Sequence, residues 1–207
     1  MLDRRHILTA GLTAFASAAS FGLSSRGAHA QAGVAKATAF MQQMGDRLVA
    51  IVNSAVSTAE KRRQLTQILE AAVDVDSVAR FCLGRFWRTS TPDQQKRFVT
   101  AFHDVLVTNI TAKLGEYQGV KLTVEKARMQ DEEAIVSSIV ERPNNPQTTV
   151  DWVIEDPASN PRVVDVLAEG TSLRLTQRQD YASYLTRNNN SVDALINAMK
   201  QQTAQNG

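Results

Sequence analysis

The 207-residue sequence has one cysteine, Cys82, and three histidines, of which only His103 lies beyond residue 30. A single cysteine excludes an intrachain disulfide. With Phe81 and Leu83 beside it, Cys82 is expected to act as a small buried hydrophobe rather than a nucleophile. One histidine cannot build the usual zinc site, and it leaves no Ser-His-Asp or Cys-His pairing beyond an isolated residue. His103, between Phe102 and Asp104, reads as a boundary residue. There is no Walker loop and no dinucleotide-binding glycine motif. Asp74 and Asp76 read as a helix start, and Asp131-Glu132-Glu133 as an exposed turn, so no carboxylate dyad stands out. The expectation is a binding protein without a resident cofactor, and not an enzyme.

Excess charge is also lacking. The formal net charge is +2, and residues 1–30 carry it: Arg4, Arg5 and Arg26 against Asp3. The remaining chain holds twenty residues of each sign. A neutral chain argues against electrostatically driven binding to nucleic acid or anionic membranes. Arg4, Arg5 and His6 precede an apolar, charge-free run from Ile7 to about Leu23, and Ala28-His29-Ala30 offers a small-x-small cleavage site. Residues 1–30 therefore read as an export signal cleaved after Ala30. Asp3 to Leu8 also resembles a twin-arginine signal, so the route is either Sec or twin-arginine, and both lead to the periplasm. Residues 31–207 are expected to form one domain with loose termini.

Hydrophobic residues make up 43% of the chain, enough for a core. Helical spacing covers about Phe40–Val56, Thr58–Ala72 and Val75–Leu83, with residues 31–39 frayed. The strongest local signal is Thr91-Pro92-Asp93-Gln94, a capping box with proline at the first helical position. It predicts a helix from Pro92 to about Glu116. After Gly119 the apolar period changes to two. Strands are expected at Val120–Glu125, Ala134–Val140, Thr148–Glu155 and Val163–Ala168, separated by turn chemistry short enough for a meander. Two helices follow, about Ser172–Thr186 and from Ser191 onward, with residues 201–207 loose. The fold class is α+β: helices packed on a curved, mainly antiparallel four-stranded sheet, able to enclose an apolar cavity.

Two blocks carry a resemblance. The first is Phe81-Cys82-Leu83-Gly84-Arg85-Phe86-Trp87-Arg88, then Thr91-Pro92-Asp93-Gln94, Phe98 and Phe102. The second is Asp165-Val166-Leu167-Ala168-Glu169-Gly170-Thr171-Ser172-Leu173, followed by Gln177 to Tyr181. Together they resemble the MlaC, or toluene-tolerance auxiliary, family over most of residues 40–200. Thr171 and Thr176-Gln177-Arg178 depart from the family pattern. The resemblance implies a soluble periplasmic phospholipid carrier, expected as a monomer. Its partners would be an inner-membrane ABC transporter complex and an outer-membrane lipoprotein complex. One subgroup is associated with hopanoid biosynthesis, so the cargo is either a phospholipid or a hopanoid.

A carrier of this kind needs apolar surface more than head-group chemistry, since each buried methylene contributes about 0.8 kcal/mol. The candidate lipid-contacting residues are Phe81, Leu83, Phe86, Trp87, Phe98, Phe102, Leu106, Leu122, Val124, Val136, Val150, Trp152, Ile154, Val164 and Val166. Each can equally be plain core, because periodicity gives a face and not a void. Arg85 and Arg88 would meet either a lipid phosphate or a docking partner. The competing functions are an enzyme acting on lipids and a cargo-free ABC transporter adaptor.

Overall fold

A computed structural model describes residues 22–206. Residues 1–21, with most of the expected export signal, lie outside them. Helix α1 runs Gly22–Asn53, α2 Thr58–Ala72, α3 Val75–Leu83 and α4 Pro92–Ala112. Strands β1 (Lys121–Gln130), β2 (Glu133–Glu141), β3 (Thr148–Glu155), β4 (Arg162–Ala168) and β5 (Thr171–Ser172) follow. Helices α5 (Leu173–Arg187) and α6 (Val192–Asn206) close the chain. The sheet is an antiparallel meander in the order β1-β2-β3-β4-β5.

The capping box is present as expected: the Thr91 hydroxyl accepts from the Gln94 amide, and the Gln94 side chain accepts from the Thr91 amide. Five features differ from expectation, the first being β1, which runs on to Gln130 where the sequence predicted an end at Glu125. Residues 31–39 are helical rather than frayed, because Gly33, Ala37 and Met41 form the buried stripe that seats α1 on the sheet. α4 ends at Ala112, and its last turn tightens into a 3-10 segment, Leu114–Tyr117. α6 continues through residues 201–206. A fifth strand joins β4 through Glu169-Gly170, a two-residue loop with φ of 51° and 80°, the geometry that suits a tight hairpin.

Bulges decide which side chains face inward. Val124 pairs with Ser138 and Lys126 with Ser137, so Glu125 is an extra residue on β1. Val153 pairs with Asp165 and Ile154 with Val163, so Val164 is an extra residue on β4. Each insertion resets the period-two alternation. Three cross-strand rows result on one face: Met129–Ala134–Ile154–Val163, Ala127–Val136–Trp152–Val166, and Val124–Ser138–Val150–Ala168. We call this the inner face. α1 and α2 cover it with Met41, Met44, Ile68 and Ala72. At Gly45 the approach is so close that a Cβ would stand 2.9 Å from Leu122 Cδ2.

A second core lies among α3 to α6. Phe98 is fully buried, and the Tyr181 ring stands edge-on to Phe98 and Phe102 at centroid distances of 5.8 and 6.3 Å. The amino-terminal ends of α4 and α6 are joined by Asp193, which accepts from Gln94 Nε2 (2.8 Å) and Arg97 Nη2 (2.7 Å). These bonds hold the exposed Asp193 carboxyl below its ordinary range.

Candidate lipid-contacting surface

The structure sorts the candidate residues into two groups. Leu83, Phe86, Phe98 and Phe102 are buried in the helical core, and Phe81, Trp87 and Leu106 pack partly buried against it. Val124, Val136, Trp152, Ile154 and Val166 belong to the layer between the inner face and α1–α2. Val150 lies in the third row of the same face, and Leu122 meets α1 at Gly45. Val164, the bulge residue, packs instead with Ile135 and Val153 on the outer face. Both arginines, Arg85 and Arg88, are exposed beside the helical core.

Coverage falls off along the inner face. Ala134, Val136 and Ile154 are completely buried, whereas Val150, Trp152, Val166 and Ala168 are half-buried. Side-chain packing fills the end under α1 and α2, and apolar wall is left partly open toward the third row. Into this wall is set one polar group. Ser138 is fully buried, accepts from Trp152 Nε1 at 2.8 Å, and donates to the Val150 carbonyl at 3.3 Å. The pairing meets the needs of both polar groups and anchors the indole to the neighbouring strand.

The candidate list lacked Ala127, Met129, Ala134, Ser138, Val163 and Ala168, which complete the rows. Sequence reasoning also missed Met41, which α1 contributes, although the helical stripe that it read from Met44 does pack here. Ala127 and Met129 are legible only if the bulge at Glu125 is known. The Glu-Gly pair before Thr171 was the available signal for β5.

The second sequence block has a structural role at the β4–α5 junction. Asp165 is buried; it accepts from Ser172 Oγ (2.6 Å), from the amides of Val166 (2.8 Å) and Arg174 (3.0 Å), and pairs with Arg174 Nε (3.3 Å). Ser172 also caps α5 through the Leu175 amide. Cys82 is buried, and burial first, then the charge of Asp165, pushes its thiol up to about 12. It is therefore no nucleophile at neutral pH. Among the described residues there is no cluster of three or more histidine, cysteine or carboxylate groups placed to hold a metal.

The MlaC protein family model matches residues 42–201. The chain belongs to the MlaC family. The toluene tolerance protein ttg2D of Pseudomonas putida is 27% identical over 142 residues, which are 68% of this chain and 66% of that protein. The alignment thus spans slightly less than two thirds of that relative. Among solved structures, a phospholipid-binding protein from Ralstonia solanacearum, determined in complex with a phospholipid, superposes with a TM-score of 0.70 at 20% identity. The superposition covers 82% of this chain and 97% of that one, and it establishes a shared fold. Both sequence blocks, residues 81–102 and 165–181, fall inside the matched family region.

Proposed function

We propose that this protein is a phospholipid-binding carrier of the bacterial periplasm. It holds acyl chains against the inner face of the sheet and passes lipid between an inner-membrane ABC transporter complex and an outer-membrane lipoprotein complex. The observation that carries the reading is the half-buried apolar wall of Val150, Trp152, Val166 and Ala168 on the inner face of the sheet. Apolar surface of this kind gains about 25 cal/mol per Å² when it is covered, so two acyl chains outweigh any single head-group contact. Membership of the MlaC family and the fold shared with a phospholipid-bound protein support the same reading. The reading assigns no reaction to the chain.

Lipid mass spectrometry on residues 31–207, exported to a bacterial periplasm and purified without detergent, tests it. Near-stoichiometric phospholipid is the expected result. Hopanoid in its place would change the cargo class, and a well-folded protein free of lipid would overturn the proposal in favour of an adaptor.

A further inference from the structure

On the outer side of the helical core, α3, α5 and the 3-10 segment Gly84–Thr89 bound a groove of about 540 Å³. Arg80, Arg85, Arg88 and Arg178 line it, with Phe81 and Trp87 between them. Among the described residues, no carboxylate lies within 4 Å of any of these four guanidinium groups, whereas Arg63, Arg97 and Arg174 all have acidic partners. Four like charges around one depression, in a chain that is otherwise balanced, form a local site for anionic groups.

Aromatic rings fix three of these four guanidinium groups in place. Arg80 lies over Trp87 at 5.8 Å, Arg178 over Phe81 at 4.9 Å and Arg85 over Phe86 at 4.8 Å. Stacking uses the flat face of a guanidinium and leaves its N–H edge free to donate. Gly84 makes room for one of them: a Cβ there would stand 3.1 Å from Arg178 Nε, and φ is +60°.

Position separates this groove from the cargo wall. α3 touches the outer face of the sheet through Val78, and α5 does so through Arg174, which pairs with Asp165 and Glu133. The apolar wall lies on the opposite face. The groove also continues into a neighbouring one of about 780 Å³ that shares Arg80 and Trp87 and reaches Asp74 and Asp76. Lys96 also lines this second groove, so the whole trench is strongly positive at one end and of mixed charge at the other. A uniformly anionic membrane surface matches only the arginine end, whereas an extended protein segment can place its carboxylates on the arginines and other side chains on the mixed end.

We propose that this trench is a docking site for an acidic segment of a partner protein. The inference rests on the carrier reading, because a shuttling carrier needs a docking face apart from its cargo wall. The test is fluorescence anisotropy with a labelled short peptide of alternating glutamate and leucine, titrated with the exported, lipid-bearing protein. Binding should saturate, weaken with added salt, and fall about tenfold or more in Arg80→Ala/Arg178→Ala and in the exposed single variant Arg80→Glu. Lipid content, measured on the same samples, should stay unchanged. Absence of saturable binding, or equal binding by both variants, overturns the proposal. So does binding to phosphatidylglycerol vesicles, in place of the peptide, with the same dependence on arginine. Loss of lipid in the variants overturns it too, by assigning the arginines to cargo. If the wild type carries no lipid, the carrier reading fails, and the peptide titration still decides the groove.

Discussion

Trp152 donates its indole N–H to Ser138 across the inner face of the sheet at 2.8 Å, joining β3 to β2 inside an apolar layer. Replacing Ser138 by Ala removes the acceptor and leaves the N–H without a protein partner. The expected cost is about 1–2 kcal/mol in denaturant unfolding. Tryptophan emission should shift as the indole loses its anchor. Unchanged stability and emission would mean that water serves Trp152 equally well.

The wall itself is tested by charge. Trp152 is half-buried, so Trp152→Arg can keep its guanidinium near solvent while placing a cation on the proposed acyl-chain surface. Far-UV circular dichroism should stay native, and co-purifying lipid should drop at least about tenfold, the effect of burying an unpaired charge beside acyl chains. Thr123→Arg, at an exposed β1 position whose side chain faces away from the wall, should retain full lipid. Lipid retained by a folded Trp152→Arg protein would remove the inner face from the binding surface.

The start of α4 offers a stability test remote from the lipid wall. Thr91→Ala deletes one half of the capping box and should cost about 1 kcal/mol. Lipid content should not change. Phe98→Ala, in the fully buried aromatic cluster, should cost about 3–5 kcal/mol. Urea unfolding of both variants measures the two figures, and similar losses would contradict the placement of Phe98 at the centre of the helical core.

Alkaline pH should destabilise the protein in a defined window. Below pH 9 the Cys82 thiol keeps its proton in both folded and unfolded chains, so it contributes nothing to the pH dependence. Above pH 9 the unfolded chain releases that proton while the folded one holds it until about pH 12. Stability must therefore fall as pH rises through this interval. Burial raises Tyr181 in the same direction. Cys82→Ala should flatten part of the fall between pH 9 and 12. A thiol reagent at pH 8 should label wild type only after denaturant is added.

Local chemistry explains why so much of the helical half was legible. Thr91-Pro92-Asp93-Gln94 specifies a helix start without any tertiary help, and Gly84 marks the end of α3 with a conformation few other residues adopt. The alternation in β3 reads directly because that strand carries no inserted residue. What stayed hidden depends on distant contacts. Residues 31–39 lack a conspicuous apolar stripe, since small residues are what let α1 lie close to the sheet. Two-residue β5 is too short to show a period. The candidate residues were chosen for hydrophobic spacing, and spacing cannot tell the helical core around Phe98 from the layer around Trp152.

The extra residue at Glu125 has a consequence for how the gene can change. Leu122 and Val124 face inward before it, and Ala127 and Met129 after it. Loss of the codon for Glu125 would leave a regular strand whose alternation is already in step, with Lys126 and Arg128 still turned to water. Loss of the codon for Thr123 would turn Leu122 away from α1, toward solvent, or force the rest of the strand out of step. The two exposed residues of the bulge, Glu125 and Lys126, are thus interchangeable in a deletion, while Thr123 is locked by the reading frame of the pleat.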